Sequence, residues 1–208
     1  MLYLLGMEGV MGKLYFKYGV MGCSKTASAL MCKFNYEQQG FSVLLLKSVL
    51  DTRDTLKGEI VVHSRIGLEC KCTAFTTSDN LLDIVERESN GKKYDVIMVD
   101  ECQFATEQQV EQLKQLSLTY TVLCYGLLTD FRTRLFEGSK RLVELADNLQ
   151  ELKSMCKCGR KATVNARFVD GVLNTDGEVV AIENQNSVTY KPMCYTCYKK
   201  LLDDLKTD

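Results

Sequence analysis

The segment LYFKYGVMGCSKT, residues 14–26, constrains the fold of this chain more than any other. Its apolar and aromatic run from Leu14 to Val20 predicts a strand, and Lys25-Thr26 open a predicted helix after a short loop. A strand, a short loop and a helix in this order form a P-loop, whose backbone N–H groups surround phosphate oxygens. In such a loop Lys25 neutralises the phosphates and Thr26 holds Mg²⁺. The alternative is an ordinary buried strand and turn.

The loop departs from the usual pattern G-x-x-x-x-G-K-[ST] at one position. Gly19 and Lys25-Thr26 fit the pattern, but Ser24 stands where the second glycine belongs. Glycine serves there because it readily adopts a backbone geometry that a residue with a Cβ atom adopts only at some cost. Two outcomes follow: either Ser24 adopts the required turn, helped by Gly22 nearby, or the loop binds nucleotide poorly.

Composition and charge exclude several classes of protein. The chain has 208 residues, 46% of them hydrophobic and 25% charged, which suits one domain of ordinary size or one with a small appendage. A net charge of −1 provides no broad basic surface, so neither nucleic acid nor an anionic membrane is an expected partner. No apolar run reaches membrane length, and the N-terminal residues lack the features of a signal peptide. Ten cysteines in an α/β pattern indicate a reducing, cytoplasmic setting rather than a disulfide scaffold.

Strand-like and helix-like segments alternate after the loop, which predicts an α/β fold with a parallel sheet and helices on both faces. The predicted strands are 14–20, 41–46, 94–99 and 120–126, and the predicted helices are 27–39, 78–87 and 106–116. Gly40 is expected to end the first helix and Ser78 or Asp79 to cap the second, while residues 47–75 are expected to form loop with one or two strands. Ligands of such sheets bind at the carboxyl ends of the strands, where Lys25 and Asp100 fall.

The chain divides into three predicted parts: an N-terminal extension (1–12), a P-loop nucleotide-binding domain (13–150) and a small module (151–208). The module is turn-rich and too poor in apolar residues to hold a core unaided, as is common for modules that need a metal or crosslink. It carries the pairs Cys156-x-Cys158 and Cys194-x-x-Cys197, and four thiolates suit tetrahedral Zn²⁺. The alternative is a reduced or redox-active dithiol module without metal.

Charged residues follow two of the predicted strands. Asp100 and Glu101 end a buried apolar strand, a common place for a carboxylate that helps to hold Mg²⁺. Adjacent side chains point in opposite directions while strand geometry persists, so one would serve the metal and the other would face the acceptor as a base. Solvated strand-end acids are the alternative. Arg53 would reach a transferred phosphate, although a surface salt bridge is the plainer interpretation of its position.

Taken together, these segments resemble the type II thymidine kinase family over residues 13–200. The matching motifs, in the family's order, are the P-loop at 19–26, DTR at 51–53, DE-x-Q-F at 100–104, GLLTDFRTRLF at 126–136, CGRKA at 158–162, and Tyr190 before CYTCY. The resemblance implies a P-loop (RecA-like) parallel sheet flanked by helices, with a small C-terminal zinc-binding lasso module. It also implies transfer of the γ-phosphate of ATP to the 5′-hydroxyl of thymidine or deoxyuridine, which gives dTMP in nucleotide salvage.

The resemblance further implies a role for each motif. Asp100 supports Mg²⁺ together with Thr26, Glu101 is the general base, and Arg53 lies near the transferred phosphate. The implied ATP-binding residues are Gly19, Met21, Gly22, Cys23, Ser24, Lys25, Thr26 and Asp100. The implied thymidine-binding residues are Met21, Leu127, Phe131 and Tyr190, and backbone groups of a loop between about 173 and 190 hold the base. The implied zinc ligands are Cys156, Cys158, Cys194 and Cys197. A homotetramer and feedback inhibition by dTTP are implied as well.

Two other functions compete with this hypothesis. The first is a nucleotide-binding protein without catalysis, in which Ser24 disables the loop. Every charged residue that the implied reaction needs is still present, which argues against a protein without catalysis. The second is an ATPase or nucleic-acid-binding protein that uses the cysteine module as a zinc ribbon. The near-neutral net charge disfavours that interpretation.

Overall fold

The computed structural model describes residues 12–48, 55–56, 59–177 and 188–205. Within these ranges the strands are β1 Leu14–Tyr18, β2 Val43–Ser48, β3 Thr55–Leu56, β4 Glu59–His63, β5 Glu69–Lys71, β6 Thr73–Phe75, β7 Val96–Asp100, β8 Thr121–Gly126, β9 Asn148–Glu151, β10 Val164–Val169, β11 Val172–Leu173 and β12 Val188–Met193. The helices are α1 Lys25–Gln38, α2 Leu81–Ser89, α3 Glu107–Leu116, α4 Glu137–Leu145 and α5 Tyr195–Asp204. A 3₁₀ turn follows β7 at Cys102–Phe104.

The main sheet has six strands in the order β6-β2-β7-β8-β1-β9, and each neighbouring pair is parallel. Its central strands are continuous apolar runs because both of their faces are covered. One face packs on α2, α3 and α4 through Leu81, Val110, Leu113 and Leu142. The other packs on α1 through Ala29 and Leu30. The predicted α/β architecture, with helices on both faces of a parallel sheet, is therefore confirmed.

Most boundaries differ from the sequence predictions by a few residues. The first helix begins two residues early, at Lys25, and Gly40 follows its last turn with φ 84°. The predicted cap of the second helix is wrong. Asn80 is the cap, since its side chain accepts a hydrogen bond from the Leu82 amide at 2.9 Å, while the Asp79 carboxylate instead accepts from the Thr76 amide at 2.6 Å.

Two short edge strands of the main sheet, β6 and β9, were not predicted as such. Three strands of a separate antiparallel sheet, β3, β4 and β5, also lie in the region predicted to hold one or two strands. Strands of two to five residues leave too short an apolar pattern to identify in sequence. No helix within the described ranges combines the length and the apolar character needed to cross a membrane.

The C-terminal module contains a three-stranded antiparallel sheet in the order β11-β10-β12, covered by α5. Every second residue of β10 packs into a small core with Leu173 and Tyr198; these residues are Val164, Ala166 and Phe168. Asn165 and Arg167 alternate with them and are also buried, at 2% and 4% exposure. Since side chains alternate along a strand, these two polar residues lie on the face opposite the module's core.

Candidate active site

Ser24 takes the conformation that the P-loop requires. It precedes α1 with φ 62° and ψ 32°, in the left-handed region, and its side chain makes no capping hydrogen bond. A residue with a Cβ atom adopts this region at a cost of roughly 1–2 kcal/mol. Gly22, two residues earlier, also has a positive φ, of 75°, which glycine adopts readily. Ser24 therefore adopts a left-handed turn of the kind that glycine adopts readily.

The loop wraps around the ammonium group of Lys25. Lys25 is 9% exposed, and its ammonium group donates to the carbonyl oxygens of Gly19 at 3.2 Å and Val20 at 3.0 Å, with the Cys23 sulfur at 3.8 Å. The Gly19 amide in turn donates to the Gly126 carbonyl at 3.3 Å, at the end of β8. The lysine is thus held within the curve of the loop, at the carboxyl edge of the sheet.

Thr26 and Asp100 form a pair of oxygen ligands beside the loop. The Thr26 hydroxyl donates to the Asp100 carboxylate at 3.1 Å, and Asp100 is 3% exposed. Burial, and then the charge of Glu101, raise the pKa of Asp100 to about 7, while Lys47 and the Thr26 hydroxyl lower it. A hydroxyl and a carboxylate are hard oxygen donors that fit Mg²⁺. These two residues are therefore suited to hold the ion.

Lys47 is a charged residue of this region that sequence reasoning missed. It is 2% exposed and lies opposite Asp100 in the pairing of β2 with β7. Its charge lowers the pKa of Asp100 and so favours the ionised carboxylate. The available signal was a lysine that directly follows the apolar run of the second strand.

Glu101 does not continue the strand. It has φ 54°, so the expectation that it and Asp100 point in opposite directions as strand neighbours does not apply. Its carboxylate accepts a hydrogen bond from the side-chain nitrogen of Gln103 at 2.6 Å, and the side-chain oxygen of Gln103 accepts from the Leu127 backbone amide at 3.0 Å. Gly126 permits this approach, because a Cβ atom there would lie 2.6 Å from that oxygen. Gln103, which is 2% exposed, therefore orients Glu101.

Asn165 joins the module to the P-loop. Its side-chain oxygen accepts from the Met21 amide at 2.7 Å, and its side-chain nitrogen donates to the Thr129 carbonyl at 2.8 Å. Sequence reasoning missed Asn165, because a buried polar residue in an apolar strand is recognisable only once its partners are known. It included Gln103 in the DE-x-Q-F motif but assigned it no role. Asn165 thereby ties β10 to both the P-loop and the segment that follows β8.

The structure gives at least one neighbour to each of the four residues predicted to bind thymidine. Met21 is bound by Asn165, and Leu127 is bound by Gln103. Phe131 is 2% exposed, with the Arg167 guanidinium 3.6 Å from its ring centroid. Tyr190 lies directly opposite Arg167 in the pairing of β10 with β12. Arg53 and residues 178–187 of the predicted base-binding loop lie outside the described residues.

The four cysteines of the module converge. The sulfur atoms of Cys156, Cys158, Cys194 and Cys197 lie within 4.8 Å of one another. The Cys158 and Cys194 sulfurs are 3.6 Å apart. A tetrahedral zinc site with Zn–S bonds of about 2.3 Å has S–S edges of about 3.8 Å. The cluster therefore has dimensions that would accept zinc. The single residue between Cys156 and Cys158 does not prevent the Cys156 sulfur from joining the other three.

The backbone around the cluster favours a thiolate at Cys156. Hydrogen bonding from the backbone of Cys158, and then of Cys194, lowers the pKa of Cys156 to about 6. Thiolates are the form in which cysteine binds zinc. Val20 of the P-loop packs against the buried Cys156 and Cys194. The cluster and the phosphate-binding loop thus share one small core.

Comparison with known proteins agrees with this arrangement. The family model described as "Thymidine kinase" matches residues 12–198. A thymidine kinase of Rhodopirellula baltica is 42% identical over 195 residues, covering 92% of this chain and 90% of that protein. Thymidine kinases of Shewanella oneidensis and of Enterobacteria phage T4 are 37% and 38% identical, covering 93% and 94% of this chain and 100% of each relative. The chain therefore belongs to the thymidine kinase family.

Proposed function

We propose that this chain is an ATP-dependent kinase that transfers the γ-phosphate of ATP to the 5′-hydroxyl of thymidine, and of deoxyuridine, to give dTMP in nucleotide salvage. The observation that carries the proposal is the joint placement of three features at one sheet edge. These are the ordered P-loop around Lys25, the Thr26–Asp100 oxygen pair at 3.1 Å, and Glu101 held by Gln103 at 2.6 Å. Phosphoryl transfer needs positioning and charge neutralisation, and this edge offers groups for both.

Each group has a distinct part in the proposed reaction. Lys25 would leave its carbonyl partners to bind phosphate oxygens, assisted by the backbone of the loop from Gly19 to Ser24. Mg²⁺ held by Thr26 and Asp100 would supply charge neutralisation to the phosphates. Glu101 would accept the proton of the 5′-hydroxyl, because its carboxylate is already oriented by Gln103. Arg53, which the resemblance to the family assigns to the transferred phosphate, would stabilise the charge of that phosphate.

The nucleoside would lie against Met21, Leu127, Phe131 and Tyr190, with the base held by the loop between about 173 and 190. The contacts of Asn165 and Gln103 support this placement. Asn165 joins the Met21 amide of the P-loop to the Thr129 carbonyl, and Gln103 joins the Leu127 amide to Glu101. We further propose a structural zinc ion at the four cysteines in the module from residue 151 onward. Family membership supports a homotetramer, inhibition by dTTP and a cytoplasmic location. The ten free cysteines are consistent with a reducing setting.

A panel of nucleosides tests the substrate assignment. Purified protein with ATP and Mg²⁺ should phosphorylate thymidine and deoxyuridine, and product formation is measured by chromatography. Deoxyadenosine and deoxyguanosine should give at least about a hundredfold lower kcat/KM, because a site built to hydrogen-bond one base leaves its polar groups unpaired with another. Equal rates with purine nucleosides would contradict the proposed pocket.

The catalytically impaired alternative is tested at Ser24. Since Ser24 already adopts the left-handed turn, Ser24→Gly should change kcat and the KM for ATP by no more than about threefold. Ser24→Val should raise the KM for ATP by about tenfold or more, because a β-branched residue is strained at positive φ. A large gain of activity in Ser24→Gly would instead show that the serine impairs the natural loop.

A further inference from the structure

Arg167 is a buried cation beside the proposed nucleoside pocket. It is 4% exposed, and its guanidinium carbon lies 3.6 Å from the centroid of the Phe131 ring. At that distance the charge lies against the ring, and cation–π attraction is strongest when both partners are removed from water. The orientation of Phe131 is therefore coupled to that of Arg167.

The same guanidinium also binds the segment 174–177. One of its terminal nitrogens donates to the Asn174 side-chain oxygen, which also accepts from the Asp176 amide at 3.2 Å. The Asn174 amide donates back to the Arg167 carbonyl at 2.9 Å. Arg167 is thus bonded to this segment through both its side chain and its backbone.

A second arginine, Arg132, also contacts both the Phe131 ring and the segment 174–177. The Arg132 guanidinium carbon is 5.0 Å from the Phe131 ring centroid, and one of its nitrogens donates to the Gly177 carbonyl. Arg132 is exposed, whereas Arg167 is not. Both arginines therefore join the ring of Phe131 to the segment 174–177, with Arg167 as the buried member.

The position of Arg167 in β10 places it among the proposed thymidine contacts. Asn165, two residues earlier on the same face, binds the Met21 amide, and Tyr190 lies directly opposite Arg167. Directly opposite residues in an antiparallel pair share a face of the sheet. Arg167 consequently shares a face of the small sheet with Tyr190 and Asn165, and it lies against the ring of Phe131.

We propose that Arg167 is a positioning residue for the nucleoside: it holds the Phe131 ring and the segment 174–177 in the arrangement that thymidine binds. This inference rests on the proposed function, which places thymidine against Phe131 and Tyr190. Arginine suits the role because its planar group stacks on a ring while it donates hydrogen bonds in its own plane. A lysine at this position would carry the same charge but would have no planar group to stack on the Phe131 ring.

The test compares Arg167→Met and Arg167→Lys with the wild type in steady-state kinetics. Both variants should raise the KM for thymidine by about tenfold, while kcat and the KM for ATP change by less than about threefold, as expected when a ground-state binding interaction is lost. The matched control is Lys191→Met. Lys191 lies 4.5 Å from the Phe168 ring centroid on the neighbouring strand, away from the proposed pocket, and its loss should leave all three constants unchanged.

Two further variants separate the possible failures. Asn174→Ala removes the side-chain oxygen that accepts from Arg167 and leaves Arg167 stacked on Phe131. It should therefore raise the KM for thymidine even if the Arg167 variants do not fold. Phe131→Leu tests the pocket itself. If Phe131→Leu raises the KM for thymidine but the Arg167 and Asn174 variants do not, the inference is overturned and the proposed function stands. If Phe131→Leu also has no effect, the pocket assignment fails. Equal rises in the KM values for thymidine and ATP would show a general structural role and overturn the inference.

Discussion

We expect Glu101→Gln to lower kcat for thymidine phosphorylation by about a hundredfold or more while the affinity for ATP stays unchanged. Glutamine has the same shape as glutamate, and its amide oxygen can still accept the hydrogen bond from Gln103. It cannot take the proton of the 5′-hydroxyl, however. The measurement is steady-state kinetics with thymidine, together with ATP binding by calorimetry.

The control for this variant is Glu86→Gln. Glu86 is an exposed residue of α2, and its loss of charge should leave kcat unchanged. A Glu101→Gln enzyme that retains more than about a tenth of the wild-type kcat would contradict general-base catalysis by Glu101. Loss of ATP binding in the same variant would point to a role in metal or nucleotide binding instead.

The second large effect is expected from the cysteine cluster. Cys194→Ser should abolish binding of one zinc ion per chain and lower activity by at least about tenfold, because metal binding supplies roughly 10–16 kcal/mol to small zinc modules. The loss should reach the phosphate site, since Val20 packs on Cys156 and Cys194, and Asn165 of the same module binds the Met21 amide. Elemental analysis measures the zinc content, and thermal unfolding measures the loss of stability. Steady-state kinetics measures the activity and the KM for ATP.

Cys70→Ser serves as the matched control for the zinc prediction. Cys70 is a half-buried cysteine of β5, outside the cluster, and its thiol donates a hydrogen bond to the Lys71 carbonyl at 3.3 Å. Its replacement should leave zinc content and activity at the wild-type level. A wild-type protein that is stable and active after complete removal of zinc would contradict a structural metal at the four cysteines.

Features with a local physical cause were predictable from the sequence. The apolar runs of β2, β7 and β8 predicted strands buried on both faces, and the order of strands and helices predicted a parallel sheet. The P-loop followed from Gly19 and Lys25-Thr26 between a strand and a helix. The cysteine spacing likewise indicated a cluster, and the four sulfurs lie together.

The remaining features depend on contacts between distant parts of the chain. Asn165 contacts residues 144 and 36 positions away, and no local pattern marks it as part of the site. Lys47 is buried because β2 pairs with β7 at Asp100, which follows from the sheet order rather than from its neighbours in sequence. Whether strand geometry persists at Glu101 was left as a condition in the sequence analysis, and the structure shows that it does not. The 3₁₀ turn that follows Glu101 depends on the room provided by Gly126, which is distant in sequence.

The central claim is transfer of phosphate from ATP to thymidine by this chain. The most direct measurement follows a γ-phosphate label from ATP, with Mg²⁺ and thymidine present, in the folded and zinc-loaded wild-type protein. The account predicts that the label appears in dTMP and that its appearance requires thymidine. Label released only as free phosphate, or no release at all from a protein that binds ATP, would contradict it.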